Sequence, residues 1–199
     1  CIHVFGVIMA VFLGITLVSH EVERKTVYII LSKPVRRWEF IVGKALGLCM
    51  TLALTTGVMA VTLFLVHAGY GGAAETGILV ASAGIWFELI LLICLATFFS
   101  TFTTPVLSAI FTLSMFLIGH ISGDLLVFGG RAAAPLARWV SRVLFFLLPN
   151  LEYFNWKNEV AYGGARSLSL LSGTIGYLAS YCAAVLFAAC LLFSRKDFK

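Results

Sequence analysis

Five apolar runs, near 1–19, 45–67, 78–99, 105–122 and 168–193, dominate this chain. Each approaches or exceeds the roughly 20 residues an α-helix needs to cross a bilayer. Inside hydrocarbon every backbone amide must be satisfied within the protein, so continuous runs of this length fold as helices, and Gly or Pro within them is tolerated where neighbouring helices satisfy the freed groups. A water-exposed surface is excluded by composition: hydrophobic residues are 61%, charged residues 12% and mean hydropathy +1.03, against about 25% charged residues in a soluble domain. The expected fold class is all-α, a polytopic membrane protein with five visible spans. Cys1 opens directly on an apolar run with no initiator Met and no basic leader. Residues 1–19 therefore read as a span of a chain that begins inside a longer protein, and not as a signal peptide.

The exception to this apolar pattern is 20–44, HEVERKTVYIILSKPVRRWEFIVGK. Nine of the 23 charged residues fall there: Glu21, Glu23, Arg24, Lys25, Lys33, Arg36, Arg37, Glu39 and Lys44. Lys and Arg in short loops set orientation. This loop holds six basic residues and the tail adds Arg195, Lys196 and Lys199, whereas 68–77 and 100–104 hold none. Placing 20–44 on the cytoplasmic side makes the spans alternate and returns the tail to the same side. A net charge of +5 is accounted for by these inside-positive loops, so no nucleic-acid partner is expected.

Residues 123–167 then lie outside. Their middle, APLARWVSRVLFFLLP, is apolar but too short to span, and Arg131, Arg138 and Arg142 recur at helical spacing beside Trp139. That pattern fits an amphipathic interfacial helix or a re-entrant half-helix ended by Pro149. The alternative, a sixth crossing over 132–148, would put the basic tail outside.

Catalytic and ligand-binding patterns are sparse. Cys1, Cys49, Cys94, Cys182 and Cys190 lie in or beside apolar spans and read as small packing residues kept as thiols. GxxxxGK[ST], HExxH and GxSxG do not occur, so neither a cofactor nor a metal centre is expected. His3, His20, His67 and His120 stand singly near span ends and read as structural residues. Glu88, in IWFELILLI, is the one carboxylate deep in a span. An ionisable group at that depth faces a cavity, a partner or a proton path, or is neutralised at a helix interface. It is the candidate intramembrane polar site.

Within 20–44, Val22, Thr26, Ile29 and Ile30 recur at helical spacing and Glu21 precedes Lys25 by four residues. The first helix is thus expected to continue to about Leu31. Pro34 removes an amide donor and biases Lys33 away from helix, and Ser32 can cap a new helix starting near Pro34. Trp38 and Phe40 among basic residues fit a short lateral helix on the inner membrane surface before the next span.

These residues carry a resemblance. EVERKTVYIILSKPVRRWEFIVGKALG is similar to the hallmark stretch of permeases of type-2 ATP-binding-cassette (ABC) exporters, in particular the subgroup with the nitrous-oxide-reductase maturation permease. The matching positions are Glu21, Glu23, Arg24 and Thr26, then Leu31, Ser32, Pro34 and Val35, then Arg37, Glu39 and Phe40, and last Gly43 and Lys44. PNLEYFN at 149–155 and the closing FSRKDF are weaker echoes. The resemblance implies a plasma-membrane protein (the bacterial inner membrane) with six spans, so that the first span and its preceding interfacial helix would lie before Cys1. It implies two ABC ATPase subunits as partners, a second permease copy or homologue, and ATP hydrolysis in the partner, not in this chain. It makes 20–44 the coupling element, with Glu21, Glu23, Arg24, Thr26, Ser32, Pro34, Arg36, Arg37, Glu39 and Lys44 meeting the ATPase. The rival functions are a non-transporting membrane subunit that transmits ATPase motion, and a membrane-embedded enzyme centred on Glu88 and His120.

Overall fold

The computed structural model describes residues 2–23, 37–70, 77–131, 135–156 and 168–194. Among them are six α-helices, one 3-10 turn and no strand: α1 (Ile2–Glu23), α2 (Arg37–Gly69), α3 (Gly77–Ser100), α4 (Pro105–Arg131), α5 (Pro135–Leu147), the turn Leu151–Phe154, and α6 (Leu168–Ser194). Four stretches are long and apolar enough to cross a membrane: Ile41–Gly69, Gly77–Ser100, Pro105–Gly123 and Leu171–Leu192. Ile2–Gly14 adds a shorter apolar helix.

α3 is the hub. It packs against α1, α2, α4, α6 and the 3-10 turn, and 56% of its apolar window is buried, against 17–22% in the other three spans. This explains why α3 is apolar all round, a pattern expected of a helix surrounded by others. Leu89, Leu91, Leu92, Ile93 and Ala96 are fully enclosed. The neighbours turn large apolar side chains outward, among them Phe5 and Phe12 on α1 and Met50 and Leu54 on α2. Exposed apolar surface of that extent belongs in lipid or against another chain, not in water.

The helix directions follow from side-chain contacts. α1 runs parallel to α3, with Gly6 against Leu89 and Gly14 against Ala96. α2 runs antiparallel to α3, and Trp86 Nε1–H donates to the Cys49 carbonyl at 3.4 Å. α3 and α4 are joined by a tight turn in which Thr103 N–H donates to Phe99 O at 3.0 Å. Pro105 opens α4, the position where a missing amide costs nothing. Several hydroxyl groups in the spans are returned to their own helices, as when Thr56 donates to Leu52 O at 2.6 Å and Thr112 to Ser108 O at 2.8 Å, while Ser108 Oγ donates across to Ala96 O on α3 at 3.3 Å.

Without a hydrophobic driving force between them, helices in a membrane associate where small residues let backbones approach. At Gly14 an added Cβ would lie 2.6 Å from the Ala96 Cβ. Gly14→Val is expected to part α1 from α3 and lower stability by about 1–3 kcal/mol. The measurement is the thermal midpoint in detergent, and Ala96→Gly in the same chain should recover part of the loss.

Two features differ from the sequence reading. α4 continues beyond its apolar span to Arg131, because ISGDLLVFGG contains no proline and a helical glycine costs only about 1 kcal/mol. Arg131 therefore ends α4 and does not belong to the amphipathic helix, which is α5 and stops before Pro149. Second, α2 is unbroken from Arg37 to Gly69. Arg37–Lys44 forms the first turns of that long helix, not a separate lateral helix, because nothing after Arg37 lacks an amide or demands a turn. The segment read as external also reaches into the protein, where Leu151 and Phe154 are completely buried.

Candidate functional site

Glu88 lies near the midpoint of α3, about 16 Å along the helix from Gly77 at 1.5 Å per residue, and only 1% of it is exposed. An unpaired carboxylate there would be costly. The bundle supplies two histidines from two other helices. His3, in the first turn of α1, places Nε2 at 2.9 Å from both Glu88 carboxyl oxygens. His120, on α4, places Nε2 at 3.5 Å from Glu88 Oε1. The His120 ring is oriented by its own helix: Nδ1 lies 3.2 Å from the Phe116 carbonyl. A carbonyl can only accept, so Nδ1 carries a proton and Nε2 faces the carboxylate.

Phe116 walls the site on one side. Its ring lies 4.7 Å from that of His120 and 5.7 Å from that of His3, and the two imidazoles are 5.8 Å apart. The enclosure is incomplete, since the side chains of His3 and His120 are 20% and 26% exposed. The result is one buried carboxylate, two partly accessible imidazoles, and three donor atoms all within 4.8 Å of one another.

A short segment covers the same region. Pro149–Trp156 wedges between α3 and α4 at glycines beside the triad. One helical turn before Glu88, a Cβ at Gly84 would lie 2.7 Å from the Phe154 carbonyl and 3.0 Å from the Trp156 ring. Immediately before His120, a Cβ at Gly119 would lie 2.7 Å from Leu151 Cγ and 2.9 Å from the Pro149 carbonyl. The segment is held in shape by its own polar groups. Glu152 N–H donates to Asn150 Oδ1 at 3.1 Å, Asn155 Nδ2 to Glu152 Oε1 at 3.0 Å, and Trp156 Nε1–H to Tyr153 O at 3.0 Å. Asn150 N–H donates to Tyr177 Oη at 2.9 Å, which ties the segment to α6.

The charged block lies at the far end of α1. Glu21 and Glu23 close that helix, about 27–30 Å along its axis from His3. Arg24, Thr26, Ser32, Pro34 and Arg36 lie outside the described residues. Arg37 begins α2, Glu39 in its first turn is exposed, and Lys44 is half-buried. Just past them Ile41 is buried against Ala189, with Phe98, Leu186 and Cys190 around the pair. The first turns of α2 are thus seated on the ends of α3 and α6.

Fold and site define a polytopic helical membrane protein with a buried polar centre at one depth and a charged element at another. The chain belongs to the ABC-2 family of transporter proteins: the family described as ABC-2 family transporter protein matches residues 1–198. Comparison with curated proteins and with solved structures returned no match.

Proposed function

We propose that the chain is the transmembrane permease subunit of an ABC transporter, driven by two ATPase subunits that dock on the 20–44 element, and that it works beside a second permease copy or homologue in a plasma membrane. Within the family, the pattern of its 20–44 block resembles that of the nitrous-oxide-reductase maturation permeases, which supports that subgroup. The observation that carries this reading is the family match over residues 1–198, taken with an α2 that runs unbroken from Arg37 in the charged block to Gly69. The cytoplasmic assignment of 20–44 and of the tail rests on their shared excess of Lys and Arg.

The mechanism follows from that continuity. Displacement of Arg37 and Glu39 by a closing ATPase dimer is delivered along one helix of 33 residues, about 50 Å. Because Ile41, Ala45 and Leu48 are buried, α2 cannot move without working against α3 and α6. The attached spans tilt, and a path opens or closes at the permease dimer interface. Glu21, Glu23, Arg24, Thr26, Ser32, Pro34, Arg36 and Lys44 complete the docking surface, with the charged ones pairing across it.

Charge reversal tests the assignment. In the double variant Arg37→Glu/Glu39→Arg, affinity for the ATPase in co-purification is expected to fall at least about tenfold, equivalent to losing roughly 1.4 kcal/mol of interface free energy, or substrate-stimulated ATP hydrolysis to fall. Membrane insertion should be unchanged, because both side chains lie outside the apolar stretch that begins at Ile41. Normal assembly together with normal coupling in that variant would remove 20–44 as the docking element.

A further inference from the structure

We propose that His3, Glu88 and His120 form a binding site for one divalent transition-metal ion of the Zn2+ type, which joins α1, α3 and α4 beneath the Pro149–Trp156 segment. The inference is independent of the ATPase reading and goes beyond it.

The hydrogen-bond inventory of the triad calls for a cation. His120 Nδ1 must be the protonated nitrogen, because its partner is the Phe116 carbonyl at 3.2 Å. In the neutral ring Nε2 is then a lone-pair donor, and it points at Glu88 Oε1 at 3.5 Å, itself a lone-pair donor in the carboxylate. Two lone pairs facing one another repel, and a positive centre between them, a metal ion or a proton, resolves the opposition. His3 adds a third donor, Nε2, at 2.9 Å from the same carboxylate.

The donor set and its spacing match a transition metal better than a hard cation. Two imidazoles and one carboxylate are a Zn2+-type set, whereas Ca2+ and Mg2+ call for oxygen ligands. Tetrahedral coordination with bonds of about 2.0–2.1 Å places ligand atoms about 3.3–3.4 Å apart. The two Glu88 separations, 2.9 and 3.5 Å, lie on either side of that value, and with all three donor atoms within 4.8 Å of one another rotamer adjustment can bring them onto one ion. The Phe116 carbonyl accepting from His120 Nδ1–H is the outer-shell partner that orients a ligating histidine. Three protein ligands leave a fourth position, and the partly exposed side chains of His3 and His120 leave room for it. A bound hydroxide there would make the centre neutral: two neutral imidazoles, one carboxylate, one dication and one hydroxide.

The test uses the full chain, purified in detergent with any affinity tag removed and stripped with chelator, and titrated with Co2+ as a visible probe and Zn2+ as competitor. The expected result is one Co2+ per chain with the intense d–d bands of four-coordinate geometry, abolished by Zn2+. Glu88→Gln and His120→Gln should each weaken binding by about 100-fold or more, since losing even an outer-shell partner costs about 10–100-fold. His120→Cys, which restores a ligand at that position, should recover binding and add a thiolate-to-cobalt charge-transfer band. His67→Gln, at the far end of α2, should bind as the parent does. Absence of four-coordinate bands in the folded parent would overturn the proposal, as would binding unaffected by both Glu88→Gln and His120→Gln. Uptake of a single proton by the triad with no metal bound, read by histidine NMR across a pH titration, would identify a proton site instead and also overturn it.

Discussion

Valine at both Gly84 and Gly119 is expected to expel the Pro149–Trp156 segment from the bundle. At each position the added carbon would meet a main-chain carbonyl closer than 3.0 Å, Phe154 O in one case and Pro149 O in the other. A flexible side-chain tip could swing aside, but a backbone oxygen can yield only if the whole segment moves. Overpacking typically costs about 1–3 kcal/mol per site, and the two sites hold the same segment, so the second substitution adds to a displacement the first has started. The segment would also lose the burial of Leu151, Phe154 and Trp156. The measurement is thiol labelling of Phe154→Cys in a chain whose native cysteines are replaced by alanine. That position should be protected with both glycines present and should react once both are valine, with a matching fall in thermal midpoint. Gly57→Ala is the control, because an added carbon there meets nothing within 4 Å. Continued protection of residue 154 in the double-valine chain would show that the wedge is not held by these contacts.

Glu88→Leu and Glu88→Gln are expected to separate the structural from the functional role of the buried carboxylate. Leucine removes both acceptors of the His3 imidazole and leaves two ring nitrogens facing an apolar wall, at a cost of about 1–3 kcal/mol. Glutamine keeps the shape and one acceptor oxygen, so membrane expression and the thermal midpoint of the metal-free protein should stay near those of the parent. Transport should nevertheless fall. A hydrogen bond to a charged group contributes roughly 1.5–3 kcal/mol, and losing that preference for one state of the bundle corresponds to about a tenfold or larger drop in flux. Reconstituted transport with the cognate ATPase is the measurement. Unchanged flux in well-expressed Glu88→Gln would confine the residue to helix packing.

Much of this architecture was readable in advance, for identifiable reasons. The spans 45–67, 78–99, 105–122 and 168–193 correspond to α2, α3, α4 and α6 because hydropathy over about 20 residues reports directly on membrane crossing. Helix ends were less legible. Nothing in the local pattern distinguishes Arg37–Lys44 as a lateral helix from the same residues as the start of α2, since both place Trp38 and Glu39 at an interface. The packing of Ile41 onto Ala189 decides it, and that contact joins residues far apart in the sequence. The depth of Glu88 was evident and marked it for attention. Its partners were not, because His3 lies 85 residues away and each histidine taken alone is unremarkable. The usable signal was depth: a buried carboxylate requires a partner, and the alternation of spans puts the start of the first helix and the end of the fourth on the same side. The PNLEYFN motif was visible as a pattern, but its function as a wedge depends on Gly84 and Gly119, whose missing side chains carry no hydropathy signal.

The parallel packing of α1 on α3 also bears on how the protein is made. Chains are synthesised at about 5–20 residues per second, so His3 precedes Glu88 through the ribosome by roughly 4–17 s. When α3 reaches the translocon, the imidazole that will hold its carboxylate is already in place on α1. A carboxylate at a helix centre opposes insertion by only a few kcal/mol on the translocon scale, and the span that contains it, with a mean hydropathy of 2.5, still favours entry. Partnering with a helix synthesised earlier gives the hub of the bundle a companion from the moment it enters the bilayer, and His120 arrives last to close the site.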